Sequence, residues 1–266
     1  MHDAAPQTTR QIDLMDPARA NALLAALGRP AGIETGDPLP PFFHQLHFWD
    51  ARPPVALGRD GHPRVGGLIP DLGLPRRMWA GGTLDFLAPL CAGIPAEKRT
   101  SCESVARKTG RSGPLAFVTL RHQVMQEGVL CVDERQDVVY REDPAPGAPQ
   151  PVPPVARDDE DEALPAEFDS TLLFRYSALT FNGHRIHYDA DYCREVEGYA
   201  APVVHGPLLA QLLMLMAEDR APLRRFAFRA TAPVTLGETV TLCRKGTDAW
   251  IRGVDGRQCM SAELSF

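Results

Sequence analysis

The chain is predicted to be an α+β protein of two related halves, each an antiparallel sheet curled around a helix. Two segments repeat the pattern Ala-Pro-x-x-x-Gly, at Ala88, Pro89 and Gly93 and again at Ala232, Pro233 and Gly237. Each copy precedes runs of strand character, LAFVTLRHQVM and VLCVDERQDVVYRE in the first half, AWIRGV and RQCMSAELSF in the second. Ahead of the second copy lies GPLLAQLLMLMAEDR, Gly206 to Arg220, whose Leu208, Leu209, Leu212, Leu213, Leu215 and Met216 leave almost no polar face. A helix apolar on nearly every side is a buried one. A buried helix followed by antiparallel strands describes a sheet wrapped around a helix, the hotdog arrangement, so the predicted fold is a double hotdog.

The elements follow in order. DPARANALLAALG, Asp16 to Gly28, is an N-terminal helix with Asp16 as cap and Gly28 as stop. PPFFHQLHFWD is a weaker first-half equivalent of the central helix. From Glu142 to Glu167 run seven prolines, Pro144 to Pro165, and the acidic stretch Asp158 to Glu162. Proline fixes φ and removes the backbone donor, so this reads as a semi-rigid, solvated connector. The expected domains are 1–141, shaping the substrate pocket, the linker 142–167, and 168–266, carrying the chemistry. Asp255-Gly256 is a hairpin signal between the last two strands.

Composition narrows the function classes. A formal charge of -6 argues against a nucleic-acid partner, which needs clustered Lys and Arg. The six cysteines form no CxxC pair, which argues against a zinc ribbon or redox dithiol. MHDAAPQTTRQIDLMD has no apolar export core, and no apolar run reaches membrane-spanning length, so the expected location is the cytoplasm with no membrane partner.

The chemistry is expected in RYSALTFNGHRIHYDADYCREVEGYAAPVVHGPLLAQLL, Arg175 to Leu213. Here His187 opens His-x-Asp with Asp189, and Val204-His205-Gly206 enters the apolar helix. This arrangement resembles the hydratase motif of MaoC-like, R-specific enoyl-CoA hydratases, with one departure. The family's Asp falls on Asn182 and its Asn on His184. The variant Phe-Asn-x-His-x-Ile-His-Tyr-Asp is similar to the type 2 hydroxyacyl-thioester dehydratases and to hydratases of mesaconyl-C4-CoA and itaconyl-CoA. RRMWAGG, Arg76 to Gly82, and ERQDVVYRE, Glu134 to Glu142, resemble the non-catalytic first half of that group.

The resemblance implies a hydro-lyase acting on a short branched dicarboxylyl-CoA, with no cofactor beyond the coenzyme A of the substrate. Hydrating a double bond conjugated to a thioester needs a base for water, a proton for the α-carbon and a donor for the enolate oxygen. Histidine titrates near neutrality, so His187 suits the first two tasks. The helix N-terminus at Gly206 suits the third, a glycine there permitting close approach. Asn182 cannot be a base, but its amide can orient water. Tyr176, His184 and His205 are expected to border the substrate.

Plainer readings stand beside these. A lone histidine is more often structural, and His205 more often orients a turn than reacts. His184-x-x-His187 and His44-x-x-His47 have metal-like spacing, but such pairs converge on an ion mainly when both lie on a helix, so no metal is expected. Trp79, Gly81 and Gly82 are either a packed turn or a wall of the acyl-CoA groove. Arg76 and Arg77, and less naturally Arg185, are expected to grip the second carboxylate of the substrate, although solvated arginine is the commoner case. A homodimer is expected unless the internal pair of halves already meets that need. The rivals are a 3-hydroxyacyl-thioester dehydratase of fatty-acid synthesis, a hotdog thioesterase, and a non-catalytic acyl-CoA-binding hotdog.

Overall fold

Alternating patterning places all ten strands in one antiparallel sheet, seen in a computed structural model that describes residues 8–110, 113–143 and 152–266. Residues 1–7 and 111–112, and 144–151 of the expected connector, lie outside the described residues. The strands are β1 (Thr8–Asp13), β2 (Arg76–Phe86), β3 (Ala96–Gly110), β4 (Gly113–Gln126), β5 (Val129–Arg141), β6 (Glu162–Glu167), β7 (Arg225–Ala230), β8 (Thr239–Lys245), β9 (Asp248–Gly253) and β10 (Gln258–Ser265). Their order across the sheet is β1-β3-β4-β5-β2-β7-β10-β9-β8-β6. Read outward from the centre, β2-β5-β4-β3-β1 and β7-β10-β9-β8-β6 trace one path twice. The halves meet where β2 pairs with β7, from Gly81↔Arg229 to Asp85↔Arg225.

The Ala-Pro-x-x-x-Gly copies occupy matching places. The N–H groups of Leu87 and Ala88 donate to Cys131 O at 2.8 and 3.3 Å, and those of Thr231 and Ala232 to Cys259 O at 2.9 and 3.2 Å. Gly93 N–H then reaches Met15 O, as Gly237 N–H reaches Phe168 O. Both glycines have positive φ, +71° and +85°, a conformation that side-chain-bearing residues rarely adopt.

Among the described residues, four α-helices complete the fold: α1 (Pro17–Ala26), α2 (Ser170–Thr180), the single turn α3 (Ala190–Tyr192) and α4 (Gly206–Glu218). Asp16 caps α1 by accepting from Ala18 N–H at 2.9 Å, and Asp169 caps α2 by accepting from Leu172 N–H at 2.7 Å. The buried α4 packs Leu208, Leu213 and Met214 against Phe226, Val240 and Ile251 of the second-half sheet. Ala20, Leu23 and Phe43 of the first half join the same core. The first half has no such helix: PPFFHQLHFWD forms only a short 3-10 turn, Phe43–Leu46.

The connector expectation needs correction. Glu162–Glu167 is strand β6, paired with β8 at the sheet edge. Pro165 is tolerated because an edge strand has one side free of ladder bonds. The acidic run is also paired: Asp159 with Arg157 and Lys245, Glu160 with Arg252, and Glu162 with Arg220 and Arg244.

Candidate active site

The site begins where α2 stops. Phe181 turns the chain in the left-handed region (φ 50°), and Asn182 N–H returns to Ser177 O at 2.8 Å. The Asn182 side-chain oxygen then accepts His184 N–H at 2.9 Å. Its carbonyl is therefore occupied by the turn, and its NH2 remains as a donor. Arg185–His187 is a 3-10 turn, not an extended segment. Tyr176 and Ser177 lie on the last turns of α2, facing the start of α4.

His187 is 7 % exposed, and its Nδ1–H donates to Val203 O at 2.7 Å. That bond fixes the tautomer and leaves Nε2 as the free acceptor. The His205 ring stacks on His187 with centroids 3.6 Å apart, and its Nε2 meets Ser177 Oγ at 2.8 Å. Tyr176 packs edge-on against His205 at 4.9 Å, and its buried hydroxyl has no partner among the described residues. His184 lies edge-on to His187 at 5.4 Å.

The first half completes the array. Arg185 N–H donates to Asp60 O at 2.9 Å, and a Cβ on Gly61 would sit 2.0 Å from Gly183 O. This backbone contact brings the His62 ring to 4.7 Å from His184. Asp60 accepts His62 N–H at 3.1 Å and pairs with Arg77 at 2.8 Å. His62, Asp60 and Ser177 were not among the residues singled out from sequence. The signal available was Gly-Arg-Asp-Gly-His-Pro, Gly58 to Pro63, a tight turn presenting one histidine.

Burial keeps all four rings neutral. It lowers His187 to about 4, against the opposing bond to Val203 O, and His62 to about 3, helped by the charges of Arg77 and His187. His184 and His205 are pushed down by burial first, then by their histidine neighbours. The folded pKa values lie below the unfolded value near 6.5, so the unfolded chain binds protons first on acidification. Their stabilising contribution is complete above about pH 6.5 and is lost as pH falls towards 4, His187 alone accounting for about 3 kcal/mol. Thermal unfolding should show a constant Tm from pH 8 to 7 and a falling one from pH 6.5 to 4.5. A Tm that holds to pH 4.5 would contradict neutral buried rings.

Each arginine of the expected clamp has a carboxylate partner within the chain. Arg76 is buried on Glu197, Nε to Oε2 at 2.5 Å, with a second bond to Glu197 O at 3.0 Å. Arg77 is held by Asp60 and donates to Pro63 O. Arg185 lies on Asp189 and over the Tyr192 ring, 39 % exposed. A buried guanidinium requires its own counter-charge, and Arg76 already has one in Glu197.

Trp79 stacks on Phe228 at 4.3 Å and closes against Gly206, where a Cβ would lie 2.6 Å from its ring. The space left by the Gly206 side chain thus belongs to Trp79, while the α4 N-terminus still offers its free N–H. Gly81 and Gly82 are required by backbone proximity, since a Cβ would fall 2.8 Å from Phe228 O and 2.2 Å from Arg135 O respectively. Gly81 thus serves the joint between the halves, and Gly82 the close approach of β2 to β5. His44 and His47 diverge, to Glu134 and Asp13. Among the described residues, no group of three or more His, Cys, Asp or Glu is arranged to hold a metal. No helix there is long and apolar enough to cross a membrane.

Known proteins agree with this architecture. The family model for hydroxyacyl-thioester dehydratase type 2 matches residues 42–236. The chain is 45% identical to mesaconyl-C(4)-CoA hydratase of Chloroflexus aurantiacus, over 94% of this chain and 91% of that one. It is 27% identical to the mitochondrial hydroxyacyl-thioester dehydratase type 2 of Schizosaccharomyces pombe, over 80% of each. HtdX of Mycobacterium tuberculosis superimposes with a TM-score of 0.69 at 19% identity, covering 97% of this chain and 99% of that one. A second M. tuberculosis protein, described as a double hotdog, gives 0.62 at 14% identity, covering 98% and 95%. With the fold repeated and the motif in place, the chain belongs to the hydroxyacyl-thioester dehydratase type 2 family, an enzyme family of hydro-lyases.

Proposed function

We propose that the protein catalyses the reversible addition of water across the α,β double bond of a short enoyl-CoA, with mesaconyl-C4-CoA or a similar branched dicarboxylyl ester preferred. The observation that carries this is His187, whose Nδ1–H is committed to Val203 O, leaving a neutral Nε2 beside the N-terminus of α4. In hydration Nε2 takes a proton from water as its oxygen bonds to the β-carbon. The electron pair moves towards the thioester oxygen, which the Gly206 N–H and the helix dipole stabilise. The same imidazolium then returns its proton to the α-carbon, so hydroxyl and hydrogen are both accounted for. Asn182 Nδ2 orients the water, and His205 braces the His187 ring from behind.

The dicarboxylyl preference is supported by the 45% identity to mesaconyl-C(4)-CoA hydratase over nearly the whole chain. The test is a panel of enoyl-CoA esters, with hydration followed by loss of conjugated absorbance. Mesaconyl-C4-CoA should give a kcat/KM above that of crotonyl-CoA. Preference for longer monocarboxylyl chains would move the enzyme to fatty-acid synthesis. No turnover of any ester would refute the hydratase reading.

A further inference from the structure

The ester proposed above sets a geometric demand close to His187. In mesaconyl-C4-CoA the free carboxylate is bonded to the β-carbon, the same atom that receives water. Its oxygens therefore stand roughly 6 Å or less from His187 Nε2, one hydrogen bond and three covalent bonds away. A carboxylate brought into a buried site needs donors there. Arg76, Arg77 and Arg185 are already paired, with Glu197, Asp60 and Asp189. His205 offers nothing, since its Nε2 meets Ser177 Oγ and its Nδ1 is sealed in the interior. His184, edge-on to His187 at 5.4 Å, and His62, 4.7 Å from His184, are different. Their backbone N–H groups are bonded, but neither ring has a hydrogen-bond partner among the described residues. Nor is any nitrogen of these two rings sealed off as His205 Nδ1 is. Each neutral ring carries one N–H, free to sit on either nitrogen.

His62 is presented by a turn with little freedom. Gly58 N–H donates to His62 O at 2.7 Å, Arg64 N–H donates to Ala56 O at 2.9 Å, and Leu57 bridges Pro63. Gly61 has φ +87°, and its contact with Gly183 is mutual, since a Cβ on Gly183 would lie 3.1 Å from Gly61 O. Arg185 Nη1 donates to Arg59 O at 3.2 Å, beside the bond from its N–H to Asp60 O. The turns 58–63 and 182–185 therefore hold each other, and their imidazoles adjoin.

The surrounding charge suits an anion. Burial first, then the positive charge of Arg77, lowers the His62 pKa. For His184 burial also leads, with His62, His187 and Arg77 acting in the same direction and Asp60 opposing. A field that disfavours a proton on these rings favours a carboxylate beside them. Once that carboxylate is in place its own charge acts the other way, and an imidazole can take up a proton as the ion arrives. The empty site then holds no buried charge without a partner, as a lysine kept there for the purpose would be.

We infer that His62 and His184 together bind the free carboxylate of the acyl group, each through a ring N–H, so that the first half supplies a selecting residue beside the reacting carbon. This rests on the hydratase reading above and names the residues that make its choice of substrate. His62→Phe keeps a flat ring and removes the donor. The ratio of kcat/KM for mesaconyl-C4-CoA to that for crotonyl-CoA should fall about ten- to hundredfold, mainly through KM of the carboxylate ester. His62→Asn and His62→Gln place an amide NH2 near the Nδ1 and Nε2 positions, and one of them should recover part of that ratio. Thermal melts of the variants separate a binding loss from a folding loss. If His62→Phe does not fold, the two amide variants carry the test, and equal ratios in both overturn the assignment. Equal loss of His62→Phe activity on both esters, or loss on neither, also overturns it while leaving the hydratase intact. A loss confined to kcat does the same, because it would put His62 in the proton chemistry. A wild-type enzyme that hydrates crotonyl-CoA but not mesaconyl-C4-CoA overturns this assignment alone, and one inert to both esters removes the hydratase reading with it.

Discussion

Replacing His187 by alanine is expected to lower kcat by about 10²–10⁴-fold, the usual contribution of a positioned general acid–base. The effect should fall on kcat more than on KM, because Nε2 acts on water and the α-carbon rather than on the CoA portion. His187→Asn makes the sharper variant. Its side-chain NH2 can still donate to Val203 O, so the 203–206 approach to α4 is preserved while the base is lost. Both variants should therefore share the same rate loss, measured by conjugated absorbance under saturating substrate. Wild-type turnover by either would transfer the proton chemistry to another ring, with His184 and His62 the nearest.

The second large effect concerns stability. Arg76 and Glu197 are 3% and 7% exposed at the side chain, and Tyr192 OH also donates to Glu197 at 3.1 Å. Removing one partner strands a buried charge and should cost about 3–5 kcal/mol, whereas replacing both with apolar residues is often close to neutral. Arg76→Ala and Glu197→Ala should thus each lower Tm sharply, and Arg76→Met with Glu197→Met should recover much of the loss. Denaturant unfolding of the three proteins gives the comparison directly. If Arg76→Ala instead leaves Tm unchanged and selectively impairs carboxylate-bearing esters, then Arg76 is a substrate clamp after all.

That contrast shows where sequence reasoning reached and where it stopped. Local chemistry was readable: Asp16 caps α1, Gly28 follows its end with positive φ, and the all-apolar run after Gly206 is buried. The repeat was readable because its two copies answer the same backbone demand. Contacts between distant segments were not. His62 enters the site only because Gly61 and Gly183 permit backbone contact across more than a hundred positions. The arginines carried a charge that sequence could count, but their partners, Glu197, Asp60 and Asp189, are chosen by the fold. Edge strand β6 was hidden for a related reason. Its sequence is proline-bearing and acidic, and what makes it a strand is backbone pairing with the distant β8, with Arg220 and Arg244 on Glu162.

The β2–β7 joint has a consequence beyond geometry. Two identical subunits meeting at such a seam must carry every alteration twice, so a change that enlarges one compartment also disturbs its twin. Covalent fusion removes that constraint. Here one copy carries only a short 3-10 turn where the other keeps its buried helix, with His187 near that helix's N-terminus. The interior of each half is thereby open to change on its own stretch of one polypeptide, so a substitution inside the first half leaves the residues around His187 as they are.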